Sequence, residues 1–235
     1  MKKVLLISAL LVLGAVYLDG WNENDRSYAN LLHQAAREGD VRNALIWLGD
    51  VPRARVNDVY PMYINASQYY GFSVLHSACY ANSANVYAMV QLLLQYGANV
   101  NAVVSDNRKH VNVTPLHFAI DNRNMEVIRL LIASGAYYKN SMTAARAIQS
   151  KSLDIVKYFY NLGTPFGEVA STIVECGDVG IADFLRTNGV DLVPAALSSK
   201  MYDKSRVIME YVFSTSEARP LTNWMENNGW SLLHY

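Results

Sequence analysis

Thr114-Pro115-Leu116-His117-Phe118-Ala119-Ile120, continued through Asn124-Met125-Glu126-Val127-Ile128-Arg129-Leu130-Leu131-Ile132 to Ser134-Gly135-Ala136, is the stretch that decides the fold. Thr114 suits a helix N-cap through its hydroxyl, and Pro115 suits the first helical position, where a missing N–H costs nothing. Leu116 and Ala119 share the inward face of that helix, and the small Ala119 admits a close neighbour. After a short turn, Val127, Leu130 and Leu131 repeat at i, i+3, i+4, with Ile128 and Ile132 widening the stripe, which predicts a second amphipathic helix. Gly135 supplies the left-handed residue that stops it. Such a hairpin buries only one face by itself, so it needs similar units beside it.

Similar units are present on both sides. Upstream, Leu31-Leu32-His33-Gln34-Ala35-Ala36 leads through Gly39-Asp40 to Ala44-Leu45-Ile46-Trp47-Leu48-Gly49, without the threonine and proline. Val74-Leu75-His76-Ser77-Ala78-Cys79 leads to Val90-Gln91-Leu92-Leu93-Leu94 and then Gly97-Ala98-Asn99-Val100-Asn101-Ala102. Ala119 to Gly135 is 16 positions and Ala78 to Gly97 is 19, so three extra residues fall within 81–87 and the turn should bulge there. Downstream, Ala147 to Gly163 is again 16, with Leu153, Val156 and Phe159 as apolar positions. Setting Gly189 on Gly135 places Gly177-Asp178 at the turn and Ile181, Phe184 and Leu185 on the stripe. A weaker sixth unit spans 193–215, with Val207, Ile208, Tyr211 and Val212 as its inner face. Gly229-Trp230-Ser231-Leu232-Leu233-His234-Tyr235 reads as the opening of a seventh. Either the array is truncated there, or the stub caps the stack with Trp224 and Trp230.

The 114–136 copy resembles the ankyrin repeat, whose pattern runs T-P-L-H-x-A-A, a turn, then V-x-x-L-L-x-x-G-A; residues 97–102 are similar to the family's G-A-D-V-N-A ending. The resemblance implies an all-α, ankyrin-repeat solenoid of about six helix-turn-helix units with extended early finger loops. Its structural repeat residues are His33, His76, Thr114, Pro115, Leu116, His117, Gly97 and Gly135. The repeat domain is expected over 30–235, with units near 30–58, 68–103, 111–140, 141–165, 166–192 and 193–216 and a partial unit at 226–235.

Met1-Lys2-Lys3 and the uncharged run Val4–Leu18 read as the basic and apolar regions of a signal peptide over 1–20, with a linker over 21–29. Fifteen helical residues at about 1.5 Å each reach roughly 22 Å, short of a ~30 Å hydrocarbon core, although no clean A-x-A cleavage pattern is present and an uncleaved N-terminal anchor remains open. The expected location is outside the cytoplasm, in the periplasm or cell envelope, or beyond the cell. Twenty basic residues balance twenty acidic ones, so no global field draws the chain to nucleic acid or to an anionic membrane. Cys79 and Cys176 read as small apolar residues rather than a bridge.

His33, His76, His117 and His234 occupy equivalent places. Layers roughly 10 Å apart cannot share one ion with bonds of about 2.0–2.1 Å, so each histidine is read as ordering its own turn. Phosphate loops, nucleophile elbows, zinc helices and cysteine–histidine clusters are missing from the pattern, and no catalytic, cofactor-binding or metal residue is assigned. Asn65-Ala66-Ser67 and Asn112-Val113-Thr114 are read as chance matches to the glycosylation pattern.

What departs from the minimal repeat is the chain between hairpins. Residues 50–71 carry Arg53, Arg55, Tyr60, Tyr63, Tyr69 and Tyr70; residues 103–112 carry Asn107, Arg108 and Lys109; Tyr137 and Tyr138 follow the third hairpin. Tyrosine and arginine are common interface anchors, and the resemblance implies that fingers and first helices line a concave face. The expectation is a non-enzymatic module binding one protein partner there, as an immunity-type inhibitor or a scaffold. The alternatives are tyrosines folded back over the stack's apolar edge, and an architectural, membrane-tethered spacer with its N-terminal helix retained.

Overall fold

The computed structural model describes residues 26–50, 56–57, 59–64, 67–106, 112–198, 208, 211 and 212. Five helical hairpins follow one another: α1 (Arg26–Glu38) with α2 (Val41–Asp50), α3 (Val74–Ala81) with α4 (Val86–Gln95), α5 (Pro115–Asp121) with α6 (Met125–Ala133), α7 (Ser141–Gln149) with α8 (Leu153–Asn161), and α9 (Ala170–Cys176) with α10 (Val179–Thr187). A 3-10 turn at Phe166–Val169 leads into α9, and α11 (Val193–Ser198) opens a sixth unit. First helices stack on first helices from α1 to α11, and second helices pack on second helices in a parallel layer. The helical solenoid predicted from the repeat is borne out. Helix α1 starts at Arg26, inside the stretch read as a linker.

The turns between paired helices explain why unlike sequences keep one geometry. Gly39, Asn82, Arg123, Lys151 and Gly177 fall at the same place in successive units, and all have left-handed φ, between +48° and +72°. The next helix then starts on a side-chain cap: Asp40 accepts the Asn43 N–H at 3.0 Å, Asn124 the Val127 N–H at 3.1 Å and Asp178 the Ile181 N–H at 3.0 Å. The three extra residues of the second unit are absorbed by a longer α3, an earlier start of α4 and one added turn residue. Where the turn was expected to bulge, Asn124 and Asn122 of the next unit brace it, reaching the Asn82 side chain at 2.8 Å and the Cys79 carbonyl at 2.7 Å.

The core is a continuous seam. Leu75, Met89, Leu93, Leu116, Ile128, Leu131, Ile148, Ile155 and Phe159 are fully buried, each contributed by the stripe of its own helix. On the second-helix layer, Arg129 stacks over the Tyr158 ring (5.1 Å) and Lys157 over Phe184 (5.7 Å). Each places a cation six residues before its unit's glycine against a ring five before the next. At the next ring position Tyr211 lies under Arg186, three residues before Gly189, and donates its hydroxyl to Asp183. Ile208 and Val212 are buried at the places held by Ile181 and Leu185 one unit earlier. Cys79 and Cys176 are both thiols, in α3 and α9. Among the described residues, no helix is long and apolar enough to cross a membrane. The leader reading of residues 1–20 and the seventh-unit reading of 229–235 lie outside the described residues.

The early fingers, expected as loops, are strands. β1 (Val59–Ile64) and β2 (Ser67–Ser73) form one antiparallel hairpin, β3 (Val104–Asp106) and β4 (Asn112–Val113) another, and β2 pairs with β3 to make a four-stranded sheet in the order β1-β2-β3-β4. Local alternation does not announce this. The chain here is broken by Pro61 and Gly71, and the decisive pairing joins residues more than 30 positions apart.

Candidate functional site

The base of each finger is held by an asparagine of the preceding unit. Asn57 donates to the Gly97 carbonyl at 3.0 Å and accepts the Asn99 N–H at 2.6 Å. Asn101 repeats the arrangement one unit on, donating to the Gly135 carbonyl at 3.0 Å and accepting the Tyr137 N–H at 2.8 Å. Two residues beyond each asparagine stand Val59 and Val103, both exposed.

Register places the residues of the sheet. Tyr60 pairs with Phe72 and Met62 with Tyr69, so Tyr70 and Gly71 together oppose Pro61. This is a β-bulge, in which Gly71 adopts φ +81° and Pro61 sits where no N–H is required. Tyr69 pairs with Asp106, Tyr70 with Ser105, Ser105 with Asn112 and Val104 with Val113. Along these strands Phe72, Ser73, Val104 and Val113 are buried. Val59 and Asn112 are exposed. The four finger tyrosines are brought into one sheet, Tyr60 and Tyr63 on β1 and Tyr69 and Tyr70 on β2.

The remaining candidates separate further. Tyr137 is 62% exposed, its hydroxyl donating to the Lys139 carbonyl at 2.9 Å. Tyr138 is half-buried against Phe159, ring centroids 6.4 Å apart, so it serves the stack as well as the finger. Arg53, Arg55, Asn107, Arg108 and Lys109 lie outside the described residues.

The repeat histidines bind the units together. His76 Nδ1 accepts the Ser73 N–H at 3.1 Å, which leaves the proton on Nε2 to be donated to the Val113 carbonyl at 3.3 Å. His117 does the same with the Thr114 N–H (3.1 Å) and the Thr143 hydroxyl (3.3 Å) of the next unit. His33 Nδ1 meets the Ser77 hydroxyl at 2.7 Å. Burial lowers the pKa of His76 and of His117 to about 4, so both rings are neutral at pH 7. Among the described residues, no group of three or more metal-ligating side chains converges.

Beside the sheet, equivalent positions on the first helices place Arg37, Tyr80, Asp121, Gln149 and Glu175 in a row, all exposed. Arg146 pairs with Asp121 at 2.5 Å, while burial works the other way and raises the carboxyl's pKa. Tyr80 is held edge-on by Phe72 and Phe118, with centroids 6.4 and 5.7 Å away. It was not among the residues picked out from the sequence. Its position two residues after the repeat alanine was the available signal.

A family model described as ankyrin repeats, in three copies, matches residues 32–145. The match covers 114 of the 235 residues, just under half of the chain. The chain is similar to an ankyrin repeat protein of Fowlpox virus (strain NVSL), 30% identical over 101 residues, which are 43% of this chain and 14% of that one. It is also similar to BCL-6 corepressor-like protein 1 of Homo sapiens, 36% identical over 66 residues, 28% of this chain and 3% of that one. The chain thus spans only a small part of the curated relatives it matches. Ankyrin repeats are general protein–protein interaction modules, and the helical stack described above is similar to them over the matched residues.

Proposed function

We propose that this chain is a non-enzymatic binding module that holds one protein partner across its finger sheet and the adjoining first-helix row. The observation that carries the reading is the β2–β3 pairing, which joins two fingers into one sheet held by the asparagine contacts at its base. Rigid aromatic and polar groups on such a scaffold can bind without first being ordered. The ankyrin match supports the class of function.

The finer reading is a protein of the cell envelope acting as an immunity-type inhibitor, occluding a toxin's active site, or as a scaffold for a resident enzyme. It is supported by the leader-like composition of residues 1–20. Replacing residues 51–71 by a short turn, in a variant whose helical circular dichroism is unchanged, should abolish capture of the partner from the native envelope. Undiminished capture refutes the finger-based mode. The N-terminal sequence of the mature protein tests the location: a start near Trp21 supports an exported soluble binder, and an intact Met1 in the membrane fraction supports the tethered spacer instead.

A further inference from the structure

We infer that the outward face of the first two second helices, centred on Leu45 of α2 and Gln91 of α4, is the contact by which two copies of this chain pair about a two-fold axis. The surface belongs to the layer away from the fingers and first helices, so the inference goes beyond the binding-module reading and does not depend on it. One outward position can be followed along the layer, six residues after the left-handed turn residue or, where the turn is longer, six before the closing glycine. It holds Leu45, Gln91, Arg129, Lys157 and Asp183, all exposed. From the third unit on the surface is charged, with Glu126 and Asp154 one turn earlier, and two of its cations are occupied by rings of the next unit, Tyr158 and Phe184. In the first two units it is not. Helix α4 has no charged residue, and α2 has Arg42 on this face and Asp50 at its last position. Three exposed large apolar side chains gather there instead: Leu45 at 48%, Tyr87 at 43% and, at the margin, Ile46 at 41%.

Charge and shape together select a second copy as the occupant. A two-fold axis brings a patch against itself, so a patch of one sign would meet its own charge, and a nearly uncharged one does not. An axis passing between the parallel helices α2 and α4, at the height of Leu45 and Gln91, lays α2 of one copy on α4 of the other in reversed direction. Leu45 then meets Gln91, and a residue four places after the one meets a residue four places before the other. Tyr87 falls on Gly49 of the second copy, where no atom lies within 4 Å of the place a Cβ would occupy. Arg42 falls beside Gln95, whose amide oxygen is an uncharged acceptor. The two Arg42 side chains are left about 15 Å apart, beyond the screening length of ~10 Å at 0.1 M salt. Two helices about 15 Å long and roughly 10 Å apart offer less than the ~800 Å² per partner of a standard stable interface, so the pairing is reversible, with a dissociation constant on the order of 10–100 µM. It leaves the fingers and first helices of both copies open.

The test is sedimentation equilibrium of the purified full chain over concentrations of about 5–500 µM, which span the expected constant. The expected result is a reversible monomer and dimer with no larger species. Gly49→Gln fills the hollow and should weaken dimerisation at least tenfold while the helical circular dichroism is kept or raised, because glutamine forms helix more readily than glycine. Leu45→Glu alone and Gln91→Lys alone should each weaken it by about tenfold or more, since each buries an unmatched charge twice. An equimolar mixture of the two should recover a heterodimer, in which the new carboxylate meets the new ammonium across the axis while Gln91 and Leu45 meet as before. A monomer at every concentration overturns the proposal, whether residues 4–18 or another protein then cover the face. A dimer indifferent to Gly49→Gln, a mixture of the two folded charge variants that stays monomeric, or a species larger than a dimer each overturns it as well. None of these outcomes touches the finger-based reading, which the replacement of residues 51–71 tests separately.

Discussion

His117 joins two units by holding the entry of its own helix through Nδ1 and the Thr143 hydroxyl of the next through Nε2, and only the neutral ring can do both. His76 has the equivalent role. In both, burial lowers the folded-state pKa to about 4 from the usual 6.5. Below pH 6.5 the unfolded chain takes up protons that the folded chain refuses. Stability is therefore complete above pH 7 and falls as the pH drops from 6.5 to 4, by on the order of 3 kcal/mol per ring. Urea unfolding at pH 7.5 and pH 4.5 should show the loss, and His117→Gln should lessen the difference between the two; a curve unchanged over that range contradicts the assignment. Gly39 offers a second measurement. It holds φ +72°, and an added Cβ would lie 2.2 Å from the Ser83 hydroxyl oxygen. Gly39→Ala should cost about 1–2 kcal/mol for the left-handed backbone alone, and more if Ser83 is displaced. A thermal midpoint equal to the parent's counts against this packing. The histidine positions were legible because they recur in register; the close approach of Ser83, 44 residues away, was not.

Among elements, helices and strands differ in how far their sequence announces them. Each helix carries its own stripe and several carry their own caps, so Val127-Ile128 and Leu131 foretold α6 without reference to the rest of the chain. The strands carry no such record. β2 becomes an inner strand of a sheet because β3, from the next finger, is brought beside it by the stacked helices and by the Asn57 contacts with Gly97 and Asn99 at the finger base. Asn101→Ala removes both bridging hydrogen bonds and should lower stability by about 1–2 kcal/mol, seen as a reduced urea midpoint with an unchanged m-value. The proton exchange of the Tyr137 amide should accelerate in the same variant, and unaltered protection there would separate Asn101 from the finger. Tyrosine content marked the fingers as the region to examine. The register between β1 and β2 depended on the bulge at Tyr70-Gly71, an extra residue that composition does not reveal.

The whole molecule is a linear array in which each unit answers mainly to its neighbours. Damage at one end should therefore stay local. Tyr211 links the sixth unit to the fifth through Asp183 and Arg186, so Tyr211→Ala should expose the chain around 208–212 to hydrogen exchange and to proteolysis while the amides of α3 and α5 keep their protection. Cooperative loss of protection in α3 would show that the array unfolds as one body. The sequence by itself determined the stacked helical hairpins, the turn positions and the ankyrin resemblance, because those rest on interactions within a few residues that recur at a constant interval. Only the tertiary structure decided that two fingers close into one sheet, and that Tyr80 stands against Phe72 and Phe118. Those outcomes come from pairing and packing between units, where distant residues meet and a one-residue change in register reverses which face a side chain takes.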